Sequence, residues 1–428
     1  MLFLKNIRNN FFSFFSTNIF LLTIISRAFF IIHLICMFYI AIRKIFLYRL
    51  KNYTFFRKSF FFFFIFYITG IFINLYLNNS LENQVKFFLL IFLFFFIFFF
   101  GYYLYTNQTV YISFSRLVLY FNILIIIDIF LYRLFHISLF PVIADIHETF
   151  GQERYAGVFL TKKVLGGYLC ISFPIIYNYL NLRLRNFDLF FTKYPFFYSL
   201  IYFISIVLTG DRRPSLIFGV ILFFYYVFNK KNKFNVNNII IIFVILFSLL
   251  FISYLNEHLF SRFTHGIFSI VSNINDISYV KSGNWFQLYH SSFQIILNSL
   301  QNFIIGIGSK NFTVNCHANI LNTIEGCSTH PHNLYIEMFL SFGLIGFLIF
   351  FISIFKIFSF LIKLLFLLKL KDRYKILNSI FIQINFFFPF LPSGGLFAAD
   401  LLIYYCILNS IIVMNLLTIS NNYDFKKI

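Results

Sequence analysis

The stretch "HNLYIEMFLSFGLIGFLIFFISIF" (332–355) decides the class of fold, because a polar start leads directly into a long apolar run. A membrane-spanning helix needs about 20 predominantly apolar residues, and this run continues to residue 368. Similar runs recur throughout the 428 residues, of which 60% are hydrophobic and only 11% are charged. One globular core could not bury so much apolar surface, so the sequence predicts a polytopic helical membrane protein.

Apolar runs predict the positions of the transmembrane helices. They lie at 59–78, 86–105, 110–132, 164–182, 193–209, 213–229, 237–255, 334–368, 376–390 and 398–418. Residues 11–42 are apolar around Arg27 and allow either two short crossings or one crossing with an interfacial segment. The expected fold is therefore an all-α bundle of about 12 spans, a single transmembrane domain covering 1–428.

Four basic segments set the expected orientation. They are "RKIFLYRLKNYTFFRK" (43–58), "RLR" (183–185), "KKNK" (230–233) and "KLKDRYK" (369–375), and alternate spans separate them. Basic loops stay in the cytoplasm, so residues 256–333 become one large loop on the outer side. Topology also accounts for most of the net charge of +20, and no nucleic-acid partner is predicted.

Several cations break this charge rule, because they fall in short segments on the outer side. They are Arg154, Lys162, Lys163, Arg212 and Arg213. One explanation is structural: the arginines of 212–213 reach lipid head groups, and Arg154 pairs with a nearby acid. The other explanation is a binding site for an anion.

The turn "TGDRRPSL" (209–216) favours the anion site. Pro214 suits the first turn of a helix and Asp211 its cap, so both arginines of the turn should stand at an outward-facing helix N-terminus. Pro331 is likewise expected near the first position of the helix that follows it. Helix N-termini add free N–H groups and a positive dipole end to the cationic side chains. A lipid phosphate or pyrophosphate is the simplest anion at that depth.

His330 and His332 are the groups near these cations that can accept a proton around neutral pH. The alternative is a helix cap that happens to contain imidazoles. No further His or Cys residues follow with the spacing of a zinc site, and the chain lacks a D-x-D motif. We therefore predict neither a metal nor a cofactor.

Cys316 and Cys327 lie in the expected outer loop, whereas the other three cysteines lie in apolar runs. If this loop faces an oxidising compartment, the two thiols can close a small disulfide loop.

The sequence resembles the bacterial O-antigen ligase and O-antigen polymerase superfamily from about residue 150 to 400. The matching segments stand in family order: "RYAGVF…LGGYL" (154–169), "LTGDRRPSLIFGV" (208–220), "IGIGSKNF" (305–312), "CSTHPHNLYIEMFLSFGLIGF" (327–347) and "PFLPSGGLF" (389–397). The fourth segment is the most specific, because it resembles the end of the family's large periplasmic loop, which carries a functional histidine.

The resemblance implies transfer of a glycan from an undecaprenyl pyrophosphate donor to an acceptor hydroxyl. His332 would be the base, His330 would assist, and Arg154, Arg212 and Arg213 would bind the diphosphate. The implied acceptor is another glycan or a lipid A core, with a chain-length regulator as a further partner. The implied location is the bacterial inner membrane, with the site facing the periplasm and contacting membrane lipid.

The stretch "YVKSGNWFQLYH" (279–290) adds candidates for substrate binding. Lys281 stands where many ligase-like members carry an arginine. Trp285 could stack on a sugar or anchor the loop at the membrane interface. His290 matches a histidine of polymerase-like members and favours a polymerase.

Asn333 and Glu337 complete the set of candidate substrate-binding residues, and we expect Glu337 to face a cavity and pair with an arginine. Gly343 and Gly346 are expected only to let this helix approach a neighbour closely. The main alternative function is a transporter or flippase of lipid-linked glycans, but that class usually shows two related halves and binding sites near the membrane midplane.

Overall fold

The computed structural model describes only part of the chain. The described residues are 100–140, 155, 157–159, 165–183, 195–229, 284–308, 311–319, 327, 331–368, 370–387 and 399–420, with Ile73 and Ile97. All regular secondary structure in these ranges is helical, in agreement with the predicted all-α class.

Ten α-helices have defined bounds in this part of the chain, and a 3₁₀ turn at Gly157–Phe159 separates the first two. They are α1 Gln108–Phe135, α2 Leu165–Arg183, α3 Pro195–Leu208, α4 Arg212–Asn229, α5 Asn284–Leu297, α6 Leu300–Ile304, α7 Phe312–Asn319, α8 Leu334–Leu367, α9 Leu370–Phe387 and α10 Ala399–Ser420. Seven of these helices coincide with predicted apolar runs. The other three, α5 to α7, lie in the loop predicted at 256–333.

Two described helices, α1 and α8, are long and apolar enough to cross a membrane. Both occur where the sequence predicts a span. The complete set of about 12 spans and the sidedness of the outer loop remain predictions.

Helix α9 begins earlier than the sequence suggests. The basic segment 369–375 was expected to form a loop, but α9 already begins at Leu370. Lys375 and Asp372 are buried there, and the Lys375 ammonium lies 3.2 Å from an Asp372 carboxylate oxygen. Pairing with a carboxylate one turn away allows this lysine to be buried.

The chain divides into two compact units, each described here by itself. The described residues of the first unit are those of 108–229 and 368–385. Its interior is aromatic: the Phe173 ring of α2 lies 4.7 Å from the Phe218 ring of α4 and 5.5 Å from the Tyr202 ring of α3. Edge-on and tilted ring contacts of this kind stabilise a core beyond the area that they bury.

The second unit contains α5 to α8, α10 and the described residues up to 107. Gly101 packs against α10 so closely that a Cβ atom there would lie 2.6 Å from the Ser410 carbonyl oxygen. A buried apolar cluster joins α5, α7 and α8, with Leu288, Ile295 and Leu340 among its members.

Helix α8 is broken at Gly343, whose φ of 61° lies in the left-handed region. The preceding carbonyls accept hydrogen bonds from a loop instead: Ile307 N–H donates to Leu340 at 2.8 Å, and Gly308 N–H donates to Ser341 at 3.1 Å. Ile307 and Gly308 of the family-like segment therefore fill the break. Gly343 does permit a close approach, to the backbone of Ile304 at the end of the short helix α6.

Candidate functional site

The arginine turn of the first unit joins the starts of two helices. Asp211 was expected to cap its own helix, α4. Its side chain instead accepts a hydrogen bond from Gly166 N–H in the first turn of α2, at 3.0 Å. A Cβ atom on Gly166 would lie 2.6 Å from the Thr209 hydroxyl, so only glycine fits against this turn. A resident carboxylate thus already satisfies one free N–H group of α2.

Arg212 and Arg213 are the first two residues of α4, as the sequence predicts. Arg213 is close enough to the buried Cys170 of α2 to interact with it electrostatically. Within the described residues, the buried Nε of Arg213 has no hydrogen-bond partner. A buried donor without an acceptor is costly, so this atom favours an incoming acceptor oxygen.

The segment that carries Arg154 is tied to the same turn. Arg154 itself lies outside the described residues, as do Lys162 and Lys163. The next residue, Tyr155, donates its backbone N–H to the Thr209 carbonyl at 3.0 Å. This bond joins the residue after Arg154 to the residue three positions before Arg212.

A buried carboxylate holds Tyr155 in place. Asp128 of α1 is 1% exposed, and one of its oxygens accepts the Tyr155 phenol at 2.6 Å. Its other oxygen accepts the Leu139 N–H at 2.7 Å and the Ser138 hydroxyl at 3.1 Å. Burial, followed by the bond to Asp128, raises the pKa of the Tyr155 phenol. The phenol therefore stays a donor at physiological pH.

Sequence reasoning missed Arg133, which lies beside this network at the end of α1. Its Nε donates to the Leu208 carbonyl at the C-terminus of α3, at 2.8 Å. Its guanidinium carbon lies 5.5 Å from the centre of the Tyr132 ring, which stacks on Tyr155 at 4.2 Å. The signal was present in the sequence, because Arg133 is another cation at the end of a span that the sequence predicts to face outward.

We expect Gly166→Ala to lower the thermal stability of the protein, because the new methyl group would push the Thr209 and Asp211 side chains apart from α2. The matched control is Gly167→Ala, since a Cβ atom at Gly167 meets no other atom within 4 Å. The measurement is the apparent Tm of both purified variants. Equal Tm values for the two variants would contradict the close packing of this turn.

The second unit contains the histidine turn, and its geometry differs from the prediction. Helix α8 begins at Leu334, three residues after Pro331 rather than close to it. The side chain of Asn333 is the cap, because its oxygen accepts the N–H groups of Tyr335 at 2.9 Å and Ile336 at 3.3 Å. Asparagine is among the preferred capping residues.

His332 has a φ of 52°, in the left-handed region. The other described non-glycine residue with positive φ is His136, which follows the end of α1 and donates its N–H to the Tyr132 carbonyl at 2.9 Å. That is an ordinary way to end a helix. His332 precedes a helix instead, where such a conformation has no capping role, and backbone strain of this kind concentrates at functional sites.

Helix α5 contacts the histidine turn through a residue that the sequence did not single out. The Tyr289 phenol lies near enough to the Asn333 side chain to interact with it, and burial raises the pKa of this phenol. The adjacent His290 is exposed. Trp285 lies in the first turn of α5, whereas Lys281 and His330 lie outside the described residues.

Glu337 is buried in the first turn of α8, with 8% of its surface exposed. Its backbone N–H donates to the Asn333 carbonyl at 2.9 Å. An acidic residue near a helix N-terminus interacts favourably with the helix dipole. The expected pairing of Glu337 with an arginine stays a prediction.

Cys316 and Cys327 form a disulfide in the structure, with their Cα atoms 5.6 Å apart. Cys316 belongs to the apolar cluster of α5, α7 and α8. The bond thus ties the chain just before the histidine turn to the packed part of this unit.

No group of three or more His, Cys, Asp and Glu side chains that could hold a metal ion occurs in the part of the chain that the structure describes. The arginine turn belongs to the first unit and the histidine turn to the second. The position of each turn is therefore described by the contacts within its own unit.

Comparison with protein-family models gives a match for the middle of the chain. Residues 197–351 match the family model described as O-antigen ligase, whereas no curated protein matches the chain. The matched region contains the arginine turn, the whole predicted outer loop and the start of α8. The resemblance to the O-antigen ligase superfamily drawn from the sequence is therefore confirmed over these residues.

Proposed function

We propose that this membrane protein transfers a glycan from an undecaprenyl pyrophosphate donor to an acceptor hydroxyl. The observation that carries the proposal is the O-antigen ligase match over 197–351, which includes His332, Arg212 and Arg213. The acceptor oxygen attacks the anomeric carbon of the donor sugar as its bond to the pyrophosphate oxygen breaks. His332 takes the proton of the acceptor hydroxyl.

In this proposal Arg154, Arg212 and Arg213 stabilise the negative charge that grows on the leaving pyrophosphate. Among the described residues the buried Nε of Arg213 has no hydrogen-bond partner, which supports a role in donating a hydrogen bond to an anionic oxygen. The hydrogen bond from Tyr155 to Thr209 supports placing Arg154 in the same group. Such a site needs no metal ion, because the guanidinium groups themselves neutralise the diphosphate.

His330, Asn333 and Glu337 would support His332. Asn333 fixes the start of α8 through its two cap bonds. His330 is assigned a secondary part in orienting the acceptor, and Lys281, Trp285 and His290 are assigned contacts with the sugar chain. His290 favours polymerisation of a lipid-linked glycan over ligation to a lipid A core.

The break in α8 bears on the alternative of a transporter. Transporters use unwound helix carbonyls near the membrane midplane to bind substrates and ions. Here the carbonyls of Leu340 and Ser341 are already hydrogen-bonded by Ile307 and Gly308. The break therefore favours a structural joint over a transport site.

The decisive experiment is product analysis with the purified protein in nanodiscs. A lipid pyrophosphate-linked glycan is supplied with chelator present throughout, and the lengths of the lipid-linked glycans are measured with and without the protein. A ladder of longer chains indicates a polymerase, and transfer to an added lipid A core indicates a ligase. Unchanged donor in both assays would overturn the proposed chemistry.

We expect Arg212→Lys and Arg154→Lys to lower the transfer rate while leaving the protein folded. Lysine keeps the charge but loses the planar fork that binds two phosphate oxygens at once. The measurement is the initial rate at several donor concentrations. Lys363→Arg is the matched control, because this cation lies far along α8 from the histidine turn. Wild-type rates in both arginine variants would remove them from the site.

A further inference from the structure

Helices α5 and α6 leave large apolar side chains uncovered in a segment that the sequence places in an outer loop. One face of α5 packs into the unit through Leu288, Ile295 and Ile296. The other face carries Phe293, 46% exposed, and Leu297, 69% exposed. Leu300 follows at the start of α6 and is 75% exposed.

Two of these side chains share a face, and the third begins the next helix. Positions 293 and 297 are one helical turn apart and therefore share a face of α5. Leu300 comes three residues later, and Gln294 and Asn298 are exposed beside the apolar residues. Single exposed apolar residues are ordinary, whereas grouped ones mark a contact surface. An apolar face interleaved with uncharged polar residues suits the boundary between lipid head groups and acyl chains.

Hydrogen bonds fix the level of this segment along α8. The turn after α6 donates from Ile307 to the Leu340 carbonyl and from Gly308 to the Ser341 carbonyl. The α6 helix ends only three residues before Ile307, at Ile304. Ile304 also lies against Gly343, and Leu300 is one turn of α6 away from Ile304.

The composition of α8 shows where that level lies in a membrane. No charged residue occurs between Glu337 and Lys356. The part of this stretch after the break at Gly343, residues 344–355, is about 18 Å long at about 1.5 Å per residue, more than half of a hydrocarbon core of roughly 30 Å. Leu340 comes three residues after Glu337 and before the break, so it lies about 5 Å along the helix from Glu337, near the start of that stretch. Farther along, Leu348, Phe351 and Phe355 are exposed on α8, as expected of a surface that faces lipid.

We propose that α5 and α6 form an interfacial membrane anchor that inserts Phe293, Leu297 and Leu300 among the outer ends of the lipid acyl chains. The occupant of this surface is the bilayer itself, because the surface continues at the level where the lipid-facing part of α8 begins. Trp285 at the start of α5 suits the same layer by residue type, since tryptophan concentrates at membrane interfaces. The anchor depends only on membrane insertion of α8 and not on the proposed chemistry.

The test uses tryptophan as a depth probe. Trp285 is the only tryptophan of the chain, so Trp285→Phe provides a silent background for Leu297→Trp and Leu300→Trp. Both leucines are mostly exposed, and neither substitution disturbs the packed core. Each variant is placed in nanodiscs of phosphatidylcholine and phosphatidylglycerol, and its fluorescence is quenched either by brominated lipids or by iodide in the water.

We expect lipids brominated near the headgroup end of the chains to quench both probes more strongly than lipids brominated near the chain end, and iodide to have little effect. Leu348→Trp, in the middle of the uncharged stretch of α8, is the control and should respond most to bromine near the chain end. Strong iodide quenching at positions 297 and 300 would place this face in water. Resistance to both quenchers would show that protein, such as a second copy of the chain, covers it. Either result overturns the anchor.

Discussion

Replacing His332 by asparagine is expected to lower glycan transfer by about 10²–10⁴-fold, the usual cost of losing a positioned base. Asparagine is the sharper substitution, because it tolerates the left-handed backbone that His332 adopts. The variant therefore removes the imidazole with little change to the turn. His332→Ala should lose as much activity and some stability, since alanine adopts this conformation less readily. The measurement is turnover of a lipid pyrophosphate-linked donor in nanodiscs.

The chain offers a matched control at His136, the other described histidine with positive φ. His136→Asn makes the same chemical change on the same backbone conformation, at an exposed position after α1. Its turnover should stay at the wild-type level, and His330→Ala should show only a mild loss. Near-normal turnover of His332→Asn would falsify the assignment of His332 as the base.

The second large effect is expected at the break in α8. Gly306 has a φ of 90°, and a Cβ atom on it would lie 2.6 Å from the Gly343 backbone nitrogen. Gly306→Ala and Gly343→Ala should each lower the free energy of unfolding by about 1–3 kcal/mol from backbone strain alone. The collision between two backbone segments adds to that loss, because neither can move aside like a flexible side chain.

The control for these variants is Gly219→Ala, where the nearest atom to a new Cβ is a Phe203 ring carbon at 3.8 Å. Alanine inside a helix is more favourable than glycine, so this variant should be as stable as the wild type or more stable. Apparent Tm, followed by Trp285 fluorescence, compares all three. A Gly306→Ala protein with an unchanged Tm would show that the loop does not fill the break.

The membrane helices could be predicted from the sequence because a helix that crosses a bilayer needs about 20 apolar residues, and runs of that length are visible in the composition. The bounds of α1 and α8 follow the predicted runs within a few residues. Helices α5 and α6 were not predicted, since they are short and mix apolar residues with serine, asparagine and glutamine. Local pattern does not distinguish such helices from an exposed loop.

Some features of the candidate site could likewise be predicted from local sequence, and others could not. The arginines at the start of α4 could be placed from Pro214 and the tight turn, because both signals are local. The partner of Asp211 could not, since Gly166 lies 45 residues away in the chain. Asp128 offered a signal, a carboxylate inside an apolar run, but its partner Tyr155 depends on the folded arrangement. The same holds for the contact between Tyr289 and Asn333.

The broken helix also has a consequence for how the protein is made. A helix that enters the bilayer with two unsatisfied carbonyls meets a cost of several kcal/mol for each one. The segment that satisfies Leu340 and Ser341 precedes α8 in the chain, so ribosomes have already delivered Ile307 and Gly308 when α8 emerges. We therefore expect α8 to complete its insertion only as this earlier loop closes onto it. The order of synthesis therefore supplies the hydrogen-bond donors before α8 needs them in the membrane.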